Sequence, residues 1–318
     1  MRKFLKIGKR SNLPSTLPST LYSLNPTYYQ GITQMTVRED TIWERFLSPV
    51  AGLLINEEEL KRYSQSVDWE AESSRFRRDD VVIPEYYSSQ NFHGVKQGYL
   101  NPSAAVTYDA VTQYLLPPNE TWIRQALIKG VKVKPRRILD LGCGTGSTTI
   151  ILKQAFPDAE VIGLDLSPYM LLRSFHKSQS AGLNIEWQQR NAENTTFADA
   201  SVDLVTASLL FHETPSTVAQ NILYECSRLL VPGGQVLILD GNQKTLRQME
   251  WLNNLFEEPY IHEYAADSTD AKMGAAGFAM VRTQDVWFTS QLTSGIKPMT
   301  VEDTTTQSNI RQYIPTTN

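Results

Sequence analysis

The sequence predicts an α/β fold: a doubly wound, mostly parallel sheet closed by an antiparallel hairpin. Three observations carry that expectation. From Pro135 onward, short apolar strands alternate with amphipathic helices across short connections. The first strand runs straight into a glycine-rich turn that opens a helix. The final apolar runs, in GAAGFAMVRTQDVWFTSQLT, read as an antiparallel pair. A β-α-β-α order with short links calls for a parallel sheet with helices on both faces.

The elements follow in order. RILDLG is read as strand one and GSTTIILKQAF as a helix stopped by Pro157. EVIGLDL is strand two. SPYMLLRSFHKSQSAG is a helix with Ser167 as N-cap, Pro168 in its first turn and Gly182 at its stop. NIEWQQR, SVDLVTASL and QVLILDG are strands three to five, and the helix STVAQNILYECSRLL and the turn VPGG precede the fifth. The hairpin brings the count to seven strands, with Trp287 and Phe288 expected in the last one. Strand one, being first, is expected at the centre. Segment 39–134 reads as a helical, aromatic-rich extension. Its last helix, NETWIRQALIKG, has Asn119 as N-cap and Gly130 as stop. The sheet domain is expected over 135–298, between an N-terminal tail (1–38) and a C-terminal tail (299–318).

Composition narrows the function classes. The chain has 318 residues, 41% of them apolar, and a formal net charge of −4, so it has the makeup of a globular protein with no electrostatic case for a nucleic-acid partner. The two cysteines, Cys143 and Cys226, make neither a disulfide framework nor a zinc cluster. Its four histidines lack metal-ligand spacing. No apolar run approaches the roughly 18 residues of a membrane span. A cytoplasmic protein without integral membrane association is the expectation. The first 38 residues qualify it: they carry Arg2, Lys3, Lys6, Lys9, Arg10 and Arg38, no acid, and the repeat LPSTLPST. That segment reads as a disordered tail or, alternatively, as an organelle transit peptide, with Met35 as a second candidate start.

The chemistry gathers at the turn after strand one. Asp140 is followed by Gly142, Gly144 and Gly146. Alternate glycines let the backbone approach a ligand closely, and the following helix offers free N–H groups and a positive dipole end. A dinucleotide fingerprint, counted from Gly142, needs its third glycine at 147, which is Ser147. Here it falls at Gly146. An acid, Asp165, closes strand two, where a ribose-binding carboxylate belongs. RNAENTTF follows strand three, TASLLFHETP follows strand four, and RLLVPGGQVLILD spans the fifth.

Taken together, these motifs resemble the class I S-adenosylmethionine (SAM)-dependent methyltransferases, and most closely the small-molecule branch that includes quinone C-methyltransferases. The resemblance implies a Rossmann-like fold and SAM as cofactor. It places cofactor contacts at Asp140, Gly142, Gly144, Gly146, Asp165, Leu166, Asn191, Ala192, Glu193 and Ser208. Asp140 has two open roles, orienting the glycine turn or meeting the methionyl amino group. Asp165 has an alternative reading as a cap for the following helix, for which Ser167 is better placed. Asn191 stands where many relatives carry Asp, and it keeps a carbonyl acceptor for the adenine amino group. Cys143 is read as a small packed residue.

Methyl transfer needs alignment and, for many acceptors, removal of a proton. His212 and Glu213 follow strand four and are the candidate catalytic residues. His212 is a general base or a positioning residue, against a loop-shaping alternative. Glu213 has a helix-capping alternative. Tyr86, Tyr87, Phe92, His93, Tyr99 and Tyr108 read either as a lid over an apolar or aromatic acceptor or as a small core. Trp251, Phe256, Tyr260 and His262 are candidates for the far wall. The acceptor pocket is therefore expected around His93, Tyr99, Tyr108, Trp251 and Tyr260, with no metal. The resulting expectation is methyl transfer from SAM to an oxygen or carbon of a small acceptor. A non-catalytic SAM-binding regulator and an NAD(P)-dependent reductase are the alternatives.

Overall fold

The computed structural model describes residues 56–92, 98–115, 120–249 and 258–299. Residues 1–38, Met35 among them, and 300–318, together with His93, Asn119, Trp251 and Phe256, lie outside the described residues.

The sheet has seven strands in the order β3-β2-β1-β4-β5-β7-β6. These are β1 (Arg137–Leu141), β2 (Glu160–Asp165), β3 (Glu186–Gln189), β4 (Val202–Ser208), β5 (Leu230–Gly241), β6 (Ala279–Val286) and β7 (Ser290–Ile296). Strands β1 to β5 pair in parallel, and β7 pairs antiparallel with both β5 and β6. Strand one is central among the parallel strands, as its early position in the chain requires.

The apolar runs divide between the two faces with a period of two. Ile138, Val161, Leu204 and Leu237 face one core, together with Ile123, Leu127, Leu152 and Leu171 from the helices on that side. Leu139, Ile162, Val205 and Ile238 face the other, against Ile222, Leu223, Cys226 and Leu229. Each such side chain is essentially sealed from water, which stabilises the fold by about 1.5–3 kcal/mol apiece.

Ahead of the sheet lie α1 (Glu57–Ser66), α2 (Trp69–Ser73), α3 (Glu85–Ser88), α4 (Pro102–Leu115) and α5 (Glu120–Gly130). Within the sheet domain come α6 (Ser147–Ala155), α7 (Pro168–Ser180) and α8 (Ser216–Leu229). Ser167 caps α7, accepting from the Met170 N–H, and Pro168 sits in its first turn. Polar contacts pin the extension to the sheet domain. Asp109 of α4 accepts from Lys177 Nζ at 2.9 Å and from the Thr145 hydroxyl. Ser167 Oγ donates to the Tyr99 carbonyl at 2.7 Å. After β5 come α9 (Gln243–Gln248), α10 (Ile261–Ala266) and α11 (Thr269–Ala275).

Two expectations need correction. The VPGG segment is drawn into the start of β5 rather than forming a separate turn. Trp287 and Phe288 do not lie in the last strand: they form the turn between β6 and β7, each 54% exposed. The hairpin register pairs Val286 with Ser290, which leaves residues 287–289 to reverse the chain.

Candidate active site

The carboxyl ends of β1 to β4 open into one cleft. Its lining includes Gly142 and Gly144 after β1, Asp165 and Leu166 at the end of β2, and Asn191 and Ala192 after β3. Leu209, Leu210, Glu213 and Thr214 follow β4. Tyr86 and Tyr87 of α3, Tyr99, and Tyr108 of α4 cover the opposite side. A parallel sheet presents its ligand sites at this edge, where successive loops diverge.

The glycine turn is shaped for close approach. Gly144 has φ +53°, and an added Cβ there would meet nothing within 4 Å, so its bare backbone faces the open cleft. Gly146 serves a different purpose. Its Cβ would lie 2.6 Å from the Trp187 ring and 3.0 Å from Ser174, and its φ of +78° caps α6 in a left-handed conformation. It brings α6 close to β3 and α7 and is not part of the lining.

Asp165 is held by two backbone donors. The Gly144 N–H donates to Oδ2 and the Ser167 N–H to Oδ1, each at 2.8 Å. Burial pushes its carboxyl up to about 6, against the pull of those two donors. The group is therefore an acceptor facing the cleft whose charge is incompletely compensated. A ligand with two adjacent hydroxyl donors suits it, and a glycine backbone with space beside it suits the same ligand. These residues fit a SAM nucleoside.

Several expected contacts turn elsewhere. Asp140 is 1% exposed, and its carboxylate accepts from Thr149 Oγ1 at 2.6 Å and from Thr206 Oγ1 at 2.7 Å. It ties β1 to α6 and β4 instead of lining the cleft. Burial raises its pKa, offset in part by those hydroxyls and by Arg124. Glu193 points away, accepting from Asn221 Nδ2 at 3.0 Å, while its N–H donates to Asn191 Oδ1 at 2.9 Å. Ser208 faces Thr148, whose hydroxyl donates to Ser208 Oγ at 3.1 Å, in the buried network of Arg124 and Glu120.

His212 also departs from expectation. It lies in a short 3-10 turn, Phe211–Glu213, with Nδ1 2.6 Å from Asp240 Oδ1 and outside the cleft lining. Burial draws its pKa down, but Asp240, and then Glu213 and Glu258, push it up to about 10. The Asp240 carboxylate on Nδ1 favours the charged ring, which works against a role as base. Glu213 does reach the cleft, and Tyr99 Oη donates to its Oε1 at 2.5 Å.

The aromatic residues of the extension divide between lid and core. Tyr86, Tyr87, Tyr99 and Tyr108 line the cleft, while Phe92 is fully buried and stacks on Tyr99 with ring centroids 5.6 Å apart. Tyr260 sits behind the wall, donating from Oη to the Tyr86 carbonyl at 3.0 Å. Met170, Arg190, Leu209, Leu210, Thr214 and Ile222 also line the cleft and were not foreseen. Leu209 carried no sequence signal, but its φ of +58°, strained for a branched side chain, marks the loop after β4.

The comparisons with known proteins agree with this architecture. Residues 138–234 match the family described as "Methyltransferase domain". The chain is 34% identical over 119 residues to a demethylmenaquinone methyltransferase of Thermus thermophilus, covering 37% of this chain and 53% of that protein. It is 31% identical to a malonyl-[acyl-carrier protein] O-methyltransferase of Methylococcus capsulatus, over 57% of this chain and 64% of that one. These matches span about half to two-thirds of the relatives' lengths. The match to a demethylmenaquinone methyltransferase of Lactococcus lactis is longer, 33% identical over 233 residues, 66% of this chain and 88% of that protein. Glycine turn, strand-two acid, sheet order and this extended similarity agree: the chain belongs to the class I SAM-dependent methyltransferases, of the quinone-methyltransferase type.

Proposed function

We propose that the chain transfers the methyl group of SAM to a carbon or oxygen of a small, apolar or aromatic acceptor, with a reduced quinone-type ring as the first acceptor to test. One observation carries the reading. One cleft is lined by Gly142, Gly144, Asp165, Leu166, Asn191 and Ala192, whose chemistry suits a nucleoside, by the aromatic Tyr86, Tyr87, Tyr99 and Tyr108, and by a further carboxylate, Glu213. Two of the relatives above are named for demethylmenaquinone, which supports a ring acceptor.

Bound SAM supplies an electrophilic methyl group whose transfer leaves a neutral thioether. The rest is work for the chain's own residues. Asp165 accepts from the two ribose hydroxyls. Gly144 allows the backbone to approach, and the Asn191 carbonyl accepts from the adenine amino group. The four tyrosines wall a planar acceptor and exclude water. Glu213 takes the proton that the acceptor sheds, and the Tyr99 hydroxyl fixes its carboxylate.

The reading is tested by calorimetric titration with S-adenosylhomocysteine and, separately, with NADH. The expected result is binding of the first alone, weakened at least tenfold in Asp165→Ala, about 1.4 kcal/mol. Binding of NADH, or of neither ligand, refutes it.

A further inference from the structure

Behind the cleft wall, three donor groups from distant parts of the chain converge. One imidazole nitrogen of His212 and one carboxylate oxygen each from Glu213 and Glu258 all lie within 4.8 Å of one another. His212 and Glu213 come from the 3-10 turn after β4, and Glu258 from the segment before α10. Glu213 is 9% exposed and Glu258 5%. We infer that His212, Glu213 and Glu258 form a binding site for one divalent transition-metal cation, with Asp240 orienting the imidazole from behind.

Two independent features support a site over a chance cluster. The first is orientation. Metal-bound histidines characteristically donate their other ring N–H to a carboxylate, which fixes tautomer and ring direction. His212 Nδ1 lies 2.6 Å from Asp240 Oδ1, leaving Nε2 on the Glu213 side at 3.8 Å. Asp240 is itself anchored, accepting from the Phe211 and Gly241 N–H groups. The second is burial. Asp240, Glu213 and Glu258, 1%, 9% and 5% exposed, gather around this one imidazole. Removing charges from water is costly without close compensation, and a dication supplies it where one proton supplies only part. When the cation enters, the Nε2 proton leaves to solvent and the Nδ1–H bond to Asp240 stays.

The donor set selects the metal class. One imidazole and two carboxylates without a thiolate suit Mn²⁺, Fe²⁺ or Zn²⁺. Ligands about 2.0–2.2 Å from a metal lie about 3–4.4 Å from one another, so a spread of 4.8 Å needs only a small contraction. Glu213 also lines the cleft, so a cation bound there borders the acceptor half, and its carboxylate serves as proton acceptor only while the cation is absent. The cation site stands on its own donors, whether or not the chain transfers methyl groups.

The test uses the full chain, stripped with chelator and titrated with Mn²⁺. The electron paramagnetic resonance signal of free Mn²⁺ reports binding. The expected result is one saturable site with micromolar affinity, weakened at least tenfold in Glu258→Gln. Glu258 is not among the residues lining the cleft, so S-adenosylhomocysteine affinity is expected to stay unchanged in that variant, which also shows that it folds. The wild type supplies a check that needs no variant. Of the four histidine ring signals in its proton NMR spectrum, that of His212 broadens first as Mn²⁺ is added. Absence of saturable binding below millimolar Mn²⁺, undiminished binding in a folded Glu258→Gln, or first broadening at another histidine overturns the proposal.

Discussion

Asp165 makes cofactor affinity depend on pH in a calculable way. Burial has pushed its carboxyl up to about 6, from an ordinary value of 3.8. The ionised form therefore costs the empty protein roughly 3 kcal/mol at neutral pH. The sign follows from the raised value. The group's contribution to stability is full below 3.8 and is lost as the pH rises through about 6. Two ribose hydroxyls donating to the carboxylate favour the ionised form and return its pKa toward normal. Binding then competes with a proton below pH 6, and S-adenosylhomocysteine affinity falls about tenfold, or about 1.4 kcal/mol, between pH 7 and pH 5. Calorimetry at pH 6 in two buffers of different ionisation enthalpy should show about half a proton released per ligand bound. Asp165→Asn cannot titrate, so it should bind weakly and without this slope. A flat profile in the wild type, or an equal slope in Asp165→Asn, refutes the assignment of Asp165 as the ribose acceptor.

Further outcomes follow from the same geometry. Gly144→Ala puts a Cβ at φ +53° into open space, so unfolding by urea should show a loss of only about 1–2 kcal/mol, while cofactor affinity falls at least tenfold. Gly146→Ala drives its Cβ into Trp187, so the loss should instead be about 2–5 kcal/mol. Asp240→Asn takes away the carboxylate 2.6 Å from His212 Nδ1 and should cost about 1–3 kcal/mol at pH 7 in the same measurement. In the wild type the His212 contribution is full below pH 6.5 and is lost as the pH rises through about 10. Glu213→Gln should lower kcat by about 10²–10⁴ and leave the S-adenosylhomocysteine Kd unchanged, as read by turnover and calorimetry on one preparation.

Much of this was legible in the sequence. The strands of the parallel sheet declare themselves because both faces are buried, which demands near-continuous apolar runs such as VIGLDL and QVLILD. Gly142, Gly144 and Asp165 are set by chain geometry at a strand end, so their spacing already places them beside a ligand. Side-chain direction was the illegible part. Asp140 turns inward because two threonines, Thr149 and Thr206, meet it from different elements. His212 turns from the cleft because Asp240, at the end of a neighbouring strand, captures it. Neither partner is visible from local pattern. Glu258 joins His212 and Glu213 only after the chain returns past β5, so no ligand spacing announces the cluster. Trp287 and Phe288 have strand-forming chemistry, yet the register of β7 on β5 and β6 leaves them to the turn.

The most direct test of the central claim is mass spectrometry of the acceptor itself. The full chain is incubated with SAM and a reduced naphthoquinone lacking the ring methyl group, and methylated ring and S-adenosylhomocysteine are quantified together. The account predicts equal amounts of both products from the wild type and a small fraction of either from Asp165→Ala. S-adenosylhomocysteine binding without methyl transfer to this or any other planar apolar acceptor, or undiminished product from Asp165→Ala, contradicts it.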